Sequence, residues 1–211
     1  YSAINNFAVR EARGEYLLFL NNDVEIITES WLEEMLQLCQ QKDVGMAGAK
    51  LYYPDDTIQH AGVVVGLGGV AAHVLCKLPR DAEGYMGRLR CVQEISAVTA
   101  ACMMVKTSVF KAVGGFDEEL KVAFNDIDLC MKVRKYGVKI VFTPYAELYH
   151  YESKSRGMED TPEKQLRFSR EVNCFRRKWE RELLKGDPYY NPNLTLNNTD
   201  CSLRKQEKNG D

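Results

Sequence analysis

The chain has 211 residues, of which 45% are hydrophobic and 27% charged, a composition that is ordinary for a globular domain. A formal net charge of −2 excludes a general electrostatic attraction to nucleic acid. Seven scattered cysteines with no C-x-x-C pair predict free thiols in a reducing compartment, and therefore a cytoplasmic protein rather than a disulfide-linked or zinc-binding one.

The N-terminal part of the chain predicts two helices among three strands. Residues 1–15 read as a helix that Gly14 ends. The second helix begins at Ser30, because Ser30 and Glu33 have the spacing of a capping box and an apolar stripe follows them. The apolar run of the first strand favours a buried strand of a parallel sheet. The three predicted strands are residues 16–20, 24–27 and 44–53.

Beyond a Gly-rich middle, the chain predicts further strands and helices in alternation. Asn125 is expected to cap one helix, and Thr161 with Pro162 to open the last one. The predicted strands are 96–105 and 138–142, and the predicted helices are 108–113, 127–136 and 161–184. The fold class is therefore α/β. We expect a main domain at 1–160, a helical extension at 161–190 and a polar tail at 191–211, with the last dozen residues disordered.

The first polar cluster is Asn21-Asn22-Asp23, which directly follows the strand at 16–20. Ligands bind at the carboxyl ends of strands in open α/β sheets. Carboxylate and amide oxygens suit Mg²⁺ or Mn²⁺ carrying a phosphate-bearing substrate. The alternative is a plain turn after a strand, since Asn and Asp are common there.

A second cluster holds Asn125, Asp126 and Asp128 at the start of a predicted helix. Carboxylates two positions apart do not face the same way on a helix, so we expect different roles for them. Asp126 is the candidate general base, while Asp128 complements the helix dipole and supports the backbone. The alternative is that both are ordinary helix-start residues.

A third cluster follows the strand at 138–142. His150 is a candidate metal ligand, and Lys154 and Arg156 belong to a following loop that suits contact with phosphate. The alternative is a partly buried histidine beside a solvated loop.

The last predicted helix is strongly basic. Such a helix can dock on an anionic membrane surface, which would place the protein at the inner face of the membrane. The alternative is a solvated face over an apolar stripe. The basic residues are Lys164, Arg167, Arg170, Arg176, Arg177, Lys178, Arg181 and Lys185.

Together and in this order, the segments of the chain resemble inverting family 2 glycosyltransferases, in particular bacterial rhamnosyltransferase-like and cell-wall polysaccharide enzymes. The resemblance extends to about Leu196. It implies the Rossmann-like GT-A fold of nucleotide-diphospho-sugar transferases, here without its first βαβ unit and with a C-terminal helix, so that the chain is expected to be an N-terminally truncated fragment. The matching segments are 12–26, 58–66, 97–105, 113–120, 124–137, 149–157 and 187–194.

The resemblance implies a role for each cluster. Asp126 matches the catalytic base, supported by Asn125 and Asp128, while Asp23 and His150 match the ligands of Mn²⁺ or Mg²⁺. Two further sets are expected by resemblance. The donor-binding set is Asn21, Asn22, Lys154 and Arg156. The acceptor-binding set is Gly114, Gly115, Phe116 and Asp117.

The implied reaction is a single displacement with inversion, in surface polysaccharide biosynthesis. The donor is a UDP- or dTDP-sugar, and the acceptor is a hydroxyl of a glycan or of a lipid-linked glycan. Two rival interpretations stay open from the residues. Asp23, Asp126 and His150 also suit a metal-dependent phosphate-ester hydrolase, and a catalytically silent module would bind only a glycan or a partner protein.

Overall fold

A computed structural model describes residues 1–152 and 161–205 of the chain. Lys154 and Arg156 lie outside the described residues. The helices are α1 (Ser2–Glu11), α2 (Trp31–Cys39), α3 (Thr107–Ala112), α4 (Asn125–Tyr136) and α5 (Pro162–Lys185). The strands are β1 (Tyr16–Leu20), β2 (Val24–Ile26), β3 (Val44–Tyr52), β4 (Ile58–His60), β5 (Val63–Val65), β6 (Ala71–His73), β7 (Gln93–Glu94), β8 (Cys102–Lys106) and β9 (Lys139–His150).

The central sheet has seven strands, with the order β1-β8-β3-β9-β2, β4 beside β3 and β7 beside β9. Strands β3 and β9 are parallel, while β1 pairs with β8 in the antiparallel direction. The expected parallel pairing of the first strand is therefore wrong, because an apolar run predicts burial but not the direction of the neighbour. Since β8 is antiparallel to both β1 and β3, however, β1 runs in the same direction as β3 and β9.

Strand β3 is buried along its whole length and separates two apolar layers. One layer joins α2 to the sheet through residues such as Trp31 and Met35. The other contains α3, α4 and the middle of α5, with Phe175 and Trp179 packed against the rest. The sheet is therefore covered on both faces, as an α/β domain requires.

Several local predictions differ from the structure. The predicted strand at 96–105 begins only at Cys102, because Ala97 makes just an isolated β-bridge with Val63 and a turn at residues 100–101 follows. Pro144 does not end β9, since it lies where the pairing of β9 with β3 skips from Phe142 to Glu147. Helix α4 starts at Asn125 itself, with Phe124 at the cap position and no side-chain cap bond.

The helix caps give a mixed result. Ser30 precedes α2 as predicted, yet its side chain makes no capping hydrogen bond. Thr161 caps α5 as predicted, because its hydroxyl accepts a hydrogen bond from the backbone N–H of Lys164 at 3.3 Å.

The described part of the expected polar tail, 191–205, is packed against the domain. Leu194 and Cys201 are buried, and Leu194 forms a β-bridge with Leu203. The predicted disorder therefore does not hold for residues 200–205. Within the described ranges, no helix is both long and apolar enough to cross a membrane.

Candidate functional site

An open cleft of about 470 Å³ lies where β1 and β9 end. It brings together three clusters that are far apart in the sequence, because β1 and β9 run in the same direction and their carboxyl ends meet at one edge. The lining residues are Tyr1, Asn21, Asn22, Asp23, Thr99, Ala100, Ala101, Lys121, Val122, Asn125, Asp126, His150 and Glu152. Six of these are predicted site residues: Asn21, Asn22, Asp23, Asn125, Asp126 and His150.

Strand pairing fixes Asp23 beside His150. Val24 is the register partner of His150, and the backbone N–H of Tyr151 donates to the carbonyl of Asp23 at 2.8 Å. The side chains then meet, with His150 Nε2 3.2 Å from Asp23 Oδ1. Asn21 Nδ2 lies 3.1 Å from the same imidazole nitrogen. The two expected metal ligands are thus adjacent in the structure.

Gln59 determines which nitrogen of His150 faces Asp23. The Gln59 amide donates through Nε2 to the carbonyl of His150 at 3.1 Å, so its Oε1 is left to accept. His150 Nδ1 lies 2.7 Å from that Oε1 and therefore carries the proton. The lone pair of Nε2 consequently points toward Asn21 and Asp23. Sequence reasoning noticed the segment 58–66 but assigned no role to Gln59.

The donor atoms of this pair fit a divalent cation. Asp23 Oδ1 is buried and makes no hydrogen bond within the described residues. It faces the lone pair of His150 Nε2, and two electron-pair donors at this distance are stabilised by a cation between them. Within the described ranges no group of three or more His, Cys, Asp or Glu side chains is arranged to bind a metal. Two protein ligands suit a cation that takes its other ligands from water or phosphate.

Asp126 lines the same cleft, in the first turn of α4. Its Oδ2 accepts a hydrogen bond from the backbone N–H of Ala100 at 3.2 Å, and its Oδ1 accepts one from Ile127 at 2.8 Å. Each carboxylate oxygen keeps a free acceptor position, so the group is held in place and remains able to take a proton. The charge of Asp126 adds to burial in raising the pKa of the Tyr1 hydroxyl.

Asn125 and Asp128 fix the structure around Asp126. Asn125 is buried and donates from Nδ2 to the carbonyl of Val122 at 3.0 Å. Asp128 is fully buried, and its Oδ1 accepts from Trp179 Nε1 at 2.8 Å and lies 2.7 Å from Lys178 Nζ. Asp128 does not line the cleft and ties α5 to α4.

The predicted acceptor-binding turn lies outside the cleft lining. Gly114 and Gly115 have positive φ values of 79° and 66°, which glycine adopts readily. The Phe116 ring packs beneath the site against Phe19, and Asp117 Oδ2 lies 2.6 Å from Lys178 Nζ. Their role in acceptor binding stays a prediction.

The buried His60 contacts the partly buried His73, a pair to which the sequence patterns assign no role. His60 Nδ1 is 3.0 Å from His73 Nδ1, and the backbone N–H of Thr99 donates to His60 Nε2 at 3.4 Å. Burial, with the neighbouring His73 and His150, holds the pKa of His60 well below its usual value. A neutral His60 therefore supports the turn that presents Ala100 to Asp126.

Comparisons with known proteins find long relatives of this chain. The chain is 57% identical over 204 residues to the uncharacterized protein y4gI of Sinorhizobium fredii, covering 96% of this chain and 22% of that protein. It is 42% identical over 212 residues to the O-antigen biosynthesis protein RfbC of Myxococcus xanthus, covering the whole chain and 16% of that protein. The chain thus spans about a fifth of the length of these relatives.

A solved structure shows the same fold. The mannosyltransferase PcManGT from Pyrobaculum calidifontis, solved in complex with GDP-Man and Mn²⁺, aligns with a TM-score of 0.55 at 16% identity. The alignment covers 86% of this chain and 44% of that one, and it supports the GT-A fold predicted from the sequence. The model of the glycosyltransferase-like family matches residues 1–171, and the chain belongs to that family.

Proposed function

We propose that this domain transfers a sugar, with inversion, from a nucleoside-diphosphate donor to a hydroxyl of a glycan or lipid-linked acceptor. The observation that carries the proposal is that one held carboxylate, Asp126, lines the same cleft as the Asp23–His150 pair. A base and a phosphate-facing cation site in one cleft are the two parts that such a displacement needs.

Asp126 is the catalytic base in this proposal. It takes the proton of the acceptor hydroxyl as that oxygen attacks the anomeric carbon and the bond to the diphosphate breaks. The backbone N–H groups of Ala100 and Ile127 keep the carboxylate oriented during the transfer. One in-line attack inverts the configuration of that carbon.

Asp23 Oδ1 and His150 Nε2 are the atoms that would hold Mn²⁺ or Mg²⁺. When bound, such a cation neutralises the charge of the leaving nucleoside diphosphate. Gln59 keeps His150 in the tautomer that binds metal. Asn21 and Asn22 lie beside this pair in the cleft and are assigned to the donor, and Lys154 and Arg156 of the following segment are assigned to its phosphates.

The partners follow from the same site. We assign a UDP- or dTDP-sugar as donor and a growing surface glycan as acceptor, which the likeness to an O-antigen biosynthesis protein supports. Helix α5 has eight basic and four acidic residues, and this excess suits a helix lying at an anionic inner membrane surface, where lipid-linked acceptors are found. If the protein does not co-sediment with anionic vesicles at low salt, the proposed membrane association of α5 is wrong.

The test is a thermal-shift titration with Mn²⁺ and a panel of UDP-, dTDP- and GDP-sugars, in the native protein and in Asp23→Ala. A donor at 100 times its Kd stabilises the folded state by about 2.7 kcal/mol. A metal-dependent shift with one nucleotide, lost in Asp23→Ala, supports the proposal and identifies the nucleotide. The absence of any shift in the native protein would contradict it.

Product analysis separates the proposal from the hydrolase alternative. A new glycoside on an added acceptor supports transfer. Release of phosphate or free sugar without a glycoside supports a metal-dependent hydrolase acting through the same three residues, Asp23, Asp126 and His150.

A further inference from the structure

The segment 121–124 forms part of the cleft wall and leads directly into the helix that carries Asp126. Lys121 and Val122 line the cleft, and Phe124 is the last residue before α4. Phe124 has φ 62°, a left-handed conformation that is unfavourable for a residue with a Cβ atom. Surrounding contacts must therefore hold this segment in place.

The carboxylate of Glu171, on α5, holds the segment. Its Oε1 accepts from the backbone N–H groups of Lys121 at 2.9 Å and Val122 at 3.0 Å. Its Oε2 accepts from Ala123 at 3.0 Å. Three successive amides that converge on one anion form a nest, and only a group with two acceptor oxygens and a negative charge fills it well.

The packing contacts between α5 and this segment are made by other residues. The ring of Phe124 lies 5.7 Å from that of Phe168 and 5.4 Å from that of Phe175, measured between centroids. Glu171 itself is only 3% exposed, so its charge is taken out of water. A buried carboxylate is costly unless its hydrogen bonds are satisfied, and an apolar residue would pack this helix as well. The charge is therefore explained by the amides that it binds.

We propose that Glu171 is a positioning residue that sets the place of Asp126 in the cleft through the segment 121–124. The Glu171 carboxylate binds the amides of residues 121–123. The backbone then continues through the left-handed Phe124 into the first turn of α4, which carries Asp126. The N–H of Ala100 in turn donates to Asp126 Oδ2. This inference rests on the proposed function, in which Asp126 is the base.

The test is Glu171→Gln, with Glu180→Gln as the matched control. Glu180 is an exposed residue of the same helix, so the control makes the same chemical change away from the nest. In Glu171→Gln one acceptor oxygen becomes an N–H₂ donor that faces a backbone N–H. The first measurement is residue-resolved amide hydrogen exchange by NMR, which needs no activity. The second is the steady-state rate of sugar transfer.

We expect Glu171→Gln to lose exchange protection at Lys121, Val122 and Ala123 and also at Ala100, while the amides of β3 stay protected. We expect kcat to fall about 10- to 100-fold with the KM for the donor unchanged, because a small displacement of the base slows the chemical step. Glu180→Gln should match the native protein in both measurements.

A double-mutant cycle with Asp126→Asn separates positioning from general structural damage. If Glu171 acts through Asp126, then Glu171→Gln causes no further loss of rate in the Asp126→Asn protein. Independent losses that multiply would overturn the proposal, as would unchanged protection of Ala100. If the native protein transfers no sugar, the proposed function fails, while the exchange at Ala100 still decides whether Glu171 positions the carboxylate.

Discussion

The Nε2 atom of His150 lies 3.2 Å from Oδ1 of Asp23, because Asp23 immediately precedes Val24, which pairs with His150 between β2 and β9. Two electron-pair donors face each other there because Gln59 keeps the proton of the imidazole on the other nitrogen. In the proposed function this pair holds the cation, and we expect the residues around it to determine how tightly the cation is held.

Gln59→Ala is expected to weaken Mn²⁺ binding by about 10- to 100-fold, because His150 loses the acceptor that fixes its tautomer and ring orientation. Isothermal titration of the protein with Mn²⁺ measures the effect. Gln41→Ala, a change at an exposed glutamine, is the control and should leave the affinity unchanged. Equal affinity in both variants would show that Gln59 does not orient the ligand.

Asn21→Asp is expected to tighten Mn²⁺ binding roughly tenfold, since a carboxylate replaces an amide beside the two ligands and ligand charge raises affinity for hard cations. In the native protein Asn21 Nδ2 lies 3.1 Å from His150 Nε2, where a third ligand would sit. Asn22→Asp adds the same charge one residue away, at an exposed position, and serves as the matched control. A similar gain in the control would indicate general electrostatic attraction instead of direct ligation.

Asp126→Asn is expected to lower the rate of sugar transfer by about 100- to 10,000-fold while leaving Mn²⁺-dependent donor binding intact. The amide keeps the shape of the carboxylate but cannot accept the proton of the acceptor hydroxyl. Transfer rates and donor-induced thermal shifts are measured on the same preparation, with the exposed Asp81→Asn as control. Loss of donor binding in Asp126→Asn would place Asp126 in donor recognition rather than in proton transfer.

The parts of the site that follow strand ends and a helix start were predictable from the sequence. The cluster that contains Asp23 follows an apolar strand, and Asp126 stands in the first turn of a helix, so local patterns place both. The predicted strand at 138–142 stopped short of His150, which ends β9 in the structure. The convergence of the three residues depends on strand direction, which an apolar run does not encode. The prediction of a parallel neighbour for β1 failed for that reason, although β1 does run with β9.

Gln59 and Glu171 could not be predicted, because their roles depend on contacts between segments distant in sequence. Gln59 contacts His150 across the sheet. Glu171 binds backbone amides, and because nearly every residue has one, no residue type in the sequence marks the partners of Glu171. The predicted strand at residues 96–101 is wrong for a different reason. The small apolar side chains in this segment predict burial, which is correct for Ala97 and Val98, yet burial does not distinguish a strand from the turn that supports Asp126.

The buried His60 predicts that the fold loses stability in mild acid. Its pKa is held below the ordinary value of about 6.5 in the folded protein, whereas the unfolded chain protonates it normally. Above that pH neither state carries the proton, and the stabilisation is complete. As the pH falls below about 6.5 the unfolded state binds the extra proton, and the free energy of unfolding decreases by up to about 1.4 kcal/mol per pH unit from this group. This loss of stability continues as the pH falls, until the pH reaches the lowered pKa of His60 in the folded protein.

The measurement is urea unfolding of the native protein and of His60→Gln at pH 7.5 and pH 5.5. Glutamine does not titrate, and its carbonyl oxygen is able to accept the hydrogen bond from the N–H of Thr99 that His60 accepts in the native protein. The native protein should lose about 1 kcal/mol more between the two pH values than the variant does. An identical loss in both would contradict the prediction, because it would mean that folding does not lower the pKa of His60.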